Sequence, residues 1–319
     1  MSLAIAKNGT ILYSHGYGYL DLGTCQPVQP ATEFQIGSVT KQFTAAAVLQ
    51  LQNTGALNVD SPLAGYLPSY SFNPRITLRM LLNQTSGLKN YLDFPAASSW
   101  IKGVSESTVL TQIAQAPLLF TPGTAYAYSN SNYFVLGSVI EAVSSVTYEN
   151  YMATHIFQPI GLAHTSDSQP TGIASPYTGS AKGPVPGLIP DPSLFFAAGA
   201  LWSNVQELAT WDAALRDGNV IPSALVTLMV TPPAVPNYPQ GGPSEYAMGW
   251  GSTPQLGRPF VWHNGETYSY TAFNGMFLDD GFSVSVLTNT TVNENIPLWN
   301  LGQQLINAVC TSPATAGSC

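Results

Sequence analysis

Apolar and polar positions alternate near both ends of the chain and recur at helical spacing between them. Leu3-Ala4-Ile5-Ala6 and Thr10-Ile11-Leu12-Tyr13 flank Asn8-Gly9, so residues 2–20 predict a hairpin closed by a tight turn. A Pro- and Thr-rich stretch, 23–32, leads to the run Gln42–Leu51, which predicts a buried helix ending at Asn53-Thr54-Gly55. Helical periodicity then covers Arg75–Leu82, Ser107–Ala116, Asn132–Val146 and Tyr148–Ile156. Residues 166–193, rich in Ser, Pro, Gly and Thr, predict a long loop of the functional or mobile kind. Helices are predicted again over Asn204–Arg216, with Ser203 as N-cap, and over Ser223–Val230, followed by a Pro/Gly-rich loop at 231–245. Strands are predicted at Pro259–Trp262, Thr271–Leu278 and Phe282–Leu287, the last two joined by a turn at Asp280-Gly281. A final amphipathic helix spans about 295–309.

Strand-rich ends around a helical middle predict an α+β fold of the α/β-sandwich type. N- and C-terminal strands form one antiparallel sheet flanked by helices, and a mostly helical domain is inserted. The expected division is 1–65 and 196–319 for the sheet domain and 66–195 for the insert. No internal repeat is visible.

Composition narrows the function. The chain has 319 residues, 45% of them hydrophobic, which is enough for a large core. Charged residues are 8%, against the usual quarter, so Ser, Thr, Asn, Gln and backbone must carry the polar surface. A net charge of −8 and a pI near 4.7 argue against a nucleic-acid or anionic-membrane partner. Few ion pairs leave few carboxylates to protonate, so tolerance of mildly acidic conditions is expected. No stretch of about 18 apolar residues predicts a membrane span. The first residues lead straight into a strand pattern, with no signal peptide visible. Three cysteines stand at 25, 310 and 319; Cys310 and Cys319 flank a small-residue tail and could close a loop, leaving one thiol over. Low charge and abundant Ser, Thr and Pro point to an extracytoplasmic home, periplasmic or secreted.

The chemistry centres on Ser38-Val39-Thr40-Lys41. Ser and Lys three apart share one helix face, and a neutral Lys amine there can take the Ser proton. A helix N-terminus adds partial positive charge and N–H groups where an oxyanion would form. The spacing alone is weak: Ser86/Lys89 and Ser99/Lys102 repeat it, so three of five lysines carry it. Only Ser38 opens a long apolar helix, and the competing reading there is a simple N-cap. Tyr128-Ser129-Asn130 offers a phenol to relay protons and an amide to bond lysine and substrate. Trp262-His263-Asn264-Gly265 ends an apolar strand segment, where Gly admits a substrate backbone and His263 could supply a donor or a positive charge; a structural histidine is the competing reading. No Gly-x-Ser-x-Gly occurs, which argues against an α/β-hydrolase. Histidines 15, 155, 164 and 263 are scattered, with no His-Glu-x-x-His, so no metal or other cofactor is expected.

In order and spacing these elements resemble the serine β-lactamase and penicillin-binding-protein superfamily. Phe34–Lys41, Leu81–Leu88, Thr121-Pro122-Gly123, Tyr128–Tyr133 and Ala198–Ser203 look like its landmarks, over nearly the whole chain. Class C β-lactamases, DD-carboxypeptidases, D-aminopeptidases and β-lactamase-like carboxylesterases are the nearest groups. The resemblance implies an active site between the two domains. It implies Ser38 as acylated nucleophile, Lys41 as proton acceptor and Tyr128 as relay to the leaving group. Asn130 would orient Lys41 and the substrate amide, and the Ser38 and Glu266 N–H groups would form the oxyanion hole. His263, Asn264 and Gly265 would line the substrate strand. Class C enzymes usually carry Lys-Thr-Gly where this chain has His263-Asn264-Gly265, which resembles the peptidases and esterases instead. The helix with which the family begins is also absent. The implied function is a serine acyl hydrolase taking a small-molecule ester, peptide or β-lactam, with at most modest β-lactam hydrolysis. The alternatives are a class C-like β-lactamase and a penicillin-binding sensor that acylates without turnover. Tyr91, Phe94, Trp100, Tyr126, Trp262, Tyr268 and Tyr270 favour an apolar acyl or alcohol group, or belong to the core.

Overall fold

The computed structural model describes residues 1–179, 183–234, 245–291 and 298–311. Seven strands make one antiparallel sheet: β1 (Ser2–Lys7), β2 (Thr10–Gly16), β3 (Glu245–Tyr246), β4 (Gly251–Gln255), β5 (Arg258–Glu266), β6 (Thr271–Phe277) and β7 (Phe282–Thr288). Their order is β2-β1-β7-β6-β5-β4-β3. The two chain ends therefore meet in mid-sheet, with Ser2 opposite Leu287 and Lys7 opposite Phe282. Asn8 and Gly9 both adopt positive φ, 52° and 74°, as the two-residue turn between β1 and β2 requires.

Period-two alternation gives the sheet two apolar faces. Leu3, Ile5, Phe260, Phe273, Val284 and Val286 pack with Ile306 of helix α8 (Leu298–Thr311). Ala4, Val261, Ala272, Met276 and Leu287 face the main core beneath α1 (Thr40–Asn53) and α6 (Val205–Arg216). From Thr40 to Leu49 every residue of α1 is buried, as in a helix surrounded by protein. The remaining helices are α2 (Leu78–Leu82), α3 (Glu106–Gln115), α4 (Asn130–Ser144), α5 (Tyr148–Tyr151) and α7 (Ser223–Val230).

Several boundaries differ from the sequence expectation. Asn204, not Ser203, caps α6, because its Oδ1 accepts from the Gln206 and Glu207 amides. The helix expected over 148–156 holds one α turn and then a π turn at Met152–Phe157. Strand β5 runs four residues past Trp262: His263–Glu266 keep their register against Asn274–Thr271 although the apolar run has ended. The proposed Cys310–Cys319 loop lies outside the described residues. Among those described, no helix is long and apolar enough to cross a membrane.

Candidate active site

Ser38 sits in a 3₁₀ turn, Gly37–Val39, that feeds α1. Val39 holds the N-cap position and no side chain caps the helix, so Ser38 is not spent on capping. Its Oγ lies 2.8 Å from Lys41 Nζ. Lys41 is fully buried, with its Nζ also 2.8 Å from Asn130 Oδ1 and 2.7 Å from the Ala198 carbonyl. Among the described residues no carboxylate pairs with it. Desolvation without a counter-charge pulls its pKa well below 10.5. A neutral amine has two N–H donors and one lone pair. In that form Asn130 Oδ1 and Ala198 O would take the two donors, leaving the lone pair for the Ser38 hydroxyl proton.

Tyr128 donates its phenol O–H to Ser38 Oγ at 2.8 Å. Burial raises its pKa while the Ser38 hydrogen bond acts the other way. The residue is 39% exposed and lines the cavity at Ser38. The Tyr128–Asn130 segment is tied down by residues of the Leu81–Leu88 landmark. Gln84, at φ 64°, accepts from the Ser129 amide at 3.0 Å and from Asn132 Nδ2 at 2.5 Å. Ser86 donates to Asn132 Oδ1 and accepts from the Leu88 amide. The Ser86/Lys89 coincidence is thus a scaffold contact, and Ser99 only donates to the Ala96 carbonyl.

Strand β5 brings the third component. A methyl group on Gly265 would lie 1.9 Å from the Ile36 carbonyl oxygen and 3.1 Å from the Ser38 amide nitrogen. Glycine is needed there because the chain entering Ser38 crosses β5, not because a substrate backbone does. Beyond the Gly251–Trp262 pair, residues 263–266 have a strand partner only on their β6 side among the described residues.

His263 departs from one expectation. It is buried, and its pKa is lowered to about 3, first by desolvation and then by Lys41. Nδ1 donates to the Asn264 carbonyl at 2.5 Å, and Nε2 accepts from Tyr246 O–H at 3.0 Å. His263 is therefore neutral and supplies no positive charge, and both ring nitrogens are engaged. Tyr246 is a site group the sequence did not reveal, and it reaches the site with no local motif. Ala198 opens the Ala198–Ser203 landmark, but the bond from its carbonyl to Lys41 was not foreseen.

Two cavities flank this constellation. One of about 350 Å³ is lined by Ser38, Tyr126, Tyr128, Tyr246, Gly251, Trp262, His263, Asn264 and Glu266. A second of about 410 Å³ has Phe94, Phe195 and Tyr268 as walls and shares Glu266. The seven aromatics are thereby sorted. Tyr126 and Trp262 line the first cavity and Phe94 and Tyr268 the second, while Tyr91, Trp100 and Tyr270 belong to the core. Among the described residues, no group of three His, Cys, Asp or Glu side chains is arranged to hold a metal.

The family model described as Beta-lactamase matches residues 1–305. The chain belongs to the Beta-lactamase family. Within that family it is similar to PbpX of Bacillus subtilis, 31% identical over 251 residues, which are 77% of this chain and 60% of PbpX. The chain thus spans less than two thirds of that relative's length. An octameric penicillin-binding protein homologue from Pyrococcus abyssi superposes with a TM-score of 0.83 at 26% identity, covering 99% of this chain and 74% of that one. A D-stereospecific amidohydrolase from a Streptomyces species gives 0.78 at 25% identity, covering 91% and 89%.

Proposed function

We propose that this chain is a serine acyl hydrolase that cleaves esters, or amides of D-amino acids, through a covalent acyl-enzyme on Ser38. The observation that carries the reading is the pair of contacts at Ser38 Oγ, 2.8 Å to the buried Lys41 Nζ, whose pKa desolvation pulls well down, and 2.8 Å to Tyr128. Ser38 Oγ attacks the carbonyl carbon as its proton passes to Lys41 Nζ. The Ser38 and Glu266 backbone N–H groups hold the oxyanion, whose charge develops beside the close crossing at Gly265. The proton then moves from Lys41 through the Tyr128 oxygen to the leaving group as the acyl bond breaks. A water takes the reverse route, losing its proton to Tyr128 and Lys41 while it attacks the acyl-enzyme. Asn130 keeps the Lys41 lone pair aimed at Ser38. In this reading the cleft lies between the sheet domain, 1–65 and 196–319, and the insert, 66–195. Likeness to a D-stereospecific amidohydrolase supports the amide branch.

Efficient β-lactam turnover is not part of the reading. A β-lactam presents a carboxylate beside the scissile bond. The cavity at Ser38 offers no cation to receive it, since His263 is neutral and Lys41 is used.

The test is wild type against Ser38→Ala on p-nitrophenyl butyrate, a D-amino-acid amide and a chromogenic cephalosporin, with intact mass recorded alongside product. Ester or D-amide turnover lost in Ser38→Ala supports the reading. Cephalosporin as the best substrate would make it a β-lactamase instead, and a stable Ser38 adduct without product would make it a sensor.

A further inference from the structure

The proton positions of the His263–Tyr246 pair follow from geometry. His263 Nδ1 lies 2.5 Å from the Asn264 carbonyl oxygen, which can only accept. In the neutral imidazole Nδ1 therefore carries the proton and Nε2 the lone pair. Tyr246 Oη, 3.0 Å from Nε2, must donate to it. Tyr246 keeps that proton: burial, then the neighbouring phenols of Tyr133, Tyr128 and Tyr126, push its pKa well up. Both residues are buried, yet both line the cavity at Ser38. Their rings meet edge to face, with centres 5.6 Å apart. The Tyr128 ring lies 5.9 Å from Tyr246 and 6.1 Å from His263. The other titratable groups that face His263 are Lys41 from α1 and Tyr128 from the segment before α4. Asn274, opposite it on β6, is neutral, and Glu266 is the carboxylate that lines the cavity.

We propose that Tyr246 is a specificity-determining residue: its hydrogen bond to His263 Nε2 locks the imidazole in the uncharged Nδ1–H form, and the site thereby rejects substrates with a carboxylate on the leaving group. Protonating Nε2 would break the bond from Tyr246 and leave an imidazolium buried near Lys41, so the lock and desolvation act together. The leaving group takes its proton from Tyr128, whose ring meets both members of the pair. A carboxylate on that group comes up against the Nε2–Tyr246 bond, where no donor is left to offset its desolvation. This rests on the acyl-hydrolase reading and adds the residue that sets its charge preference.

The first test needs no turnover. NMR of the histidine ring nitrogens in Ser38→Ala, with His263 assigned by the signal lost on adding His263→Asn, should show the Nδ1–H tautomer and no protonation down to about pH 5. Adding Tyr246→Phe keeps the ring and removes the hydroxyl. The His263 titration should then move upward by about one pH unit, the worth of one hydrogen bond. The second test keeps Ser38 and compares 3-carboxyphenyl butyrate with its neutral counterpart, 3-carbamoylphenyl butyrate. Tyr246→Phe should raise the carboxylate-to-amide ratio of kcat/KM about fivefold at about pH 5 and less at about pH 8, because an imidazolium able to receive the carboxylate forms only on the acid side. A thermal melt of each variant confirms that the fold is retained. An Nε2–H tautomer in Ser38→Ala, or a titration unmoved by Tyr246→Phe, overturns the lock. A ratio equal in the two enzymes at both pH values overturns its role in specificity and leaves the hydrolase reading intact. Absence of Ser38-dependent turnover of either ester overturns that reading and the specificity role together, while the spectra still decide the lock.

Discussion

Gly37 and Glu266 touch through their backbones: a methyl group on Gly37 would come within 2.7 Å of the Glu266 amide nitrogen. The reciprocal contact puts Gly265 against Ile36. Two glycines, one at φ 51° and one inside a strand, thus let the nucleophile turn and β5 cross at backbone distance. The crossing sets Gly265 beside the Ser38 amide and Gly37 beside the Glu266 amide, the two donors of the proposed oxyanion site.

Gly265→Ala tests that crossing. The new methyl meets backbone, which cannot rotate away, so β5 and the Ile36–Ser38 turn must separate. Loss of one oxyanion donor costs about 10²–10³ in kcat, and we expect a fall of that size for p-nitrophenyl butyrate together with a lower Tm. A kcat within fivefold of wild type would show that the crossing does not set the donor geometry.

Lys41→Met keeps the volume and removes the base. The expected loss in kcat is about 10³-fold or more, because groups acting as a unit fail together. In the wild type the neutral amine is the active form, so kcat/KM rises with pH through the depressed Lys41 pKa and then levels. His263, at about 3, is already neutral above pH 5 and adds no limb there. A His263→Asn variant should therefore keep the acid limb in place; a limb that disappears in that variant would assign the titration to His263.

Much of this site was legible in the chain, for a reason that can be stated residue by residue. Ser38 and Lys41 are one helical turn apart, so local geometry already joins them. Tyr128 and Asn130 were legible only through their order relative to that pair. The Ala198 carbonyl bonds Lys41 across 157 positions, and no local pattern encodes such a contact. The sequence left His263 open as a donor or a positive charge, and the choice between them rests first on burial, which is tertiary. The strand-rich ends revealed the sheet, since the Asn8-Gly9 turn marks the first hairpin and β7 alternates Phe, Val and Val with Ser. The end of β5 was missed because His263–Glu266 are paired by backbone register rather than marked by apolar side chains.

Gln84→Ala should damage catalysis without touching a reacting group. Gln84 Oε1 is the acceptor for the Ser129 amide and for Asn132 Nδ2. Removing it leaves two buried donors unmet, at about 1–3 kcal/mol for such a group. The turn carrying Tyr128 and Asn130 then loosens. We expect a Tm several degrees lower and a tenfold or larger drop in kcat with KM little changed. An unaltered kcat at reduced Tm would restrict Gln84 to stability.

Asp212 makes a prediction about stability rather than rate. It is buried between α6 and the sheet, where its Oδ1 accepts from Asn274 Nδ2 at 2.8 Å. Asn274 also donates to Gln42 Oε1, next to Lys41, and accepts from Ser285. Desolvation raises the Asp212 pKa from 3.8 to about 8, against the hydrogen bonds from Asn274 and Ser283. The folded protein therefore keeps a proton that the unfolded chain loses above about pH 4. The stabilisation is complete below the unfolded pKa and declines as pH rises towards 8, at up to about 1.4 kcal/mol per pH unit. Lys41 works in the opposite sense above its own folded-state pKa, because there the unfolded chain holds the extra proton. The readout is therefore the difference between wild type and Asp212→Asn, whose neutral amide cannot titrate. Urea unfolding between pH 5 and 8 should show the variant gaining stability relative to wild type as pH rises. Parallel curves for the two proteins over that range would mean that Asp212 is ionised in the fold and that Asn274 and its neighbours stabilise the carboxylate fully.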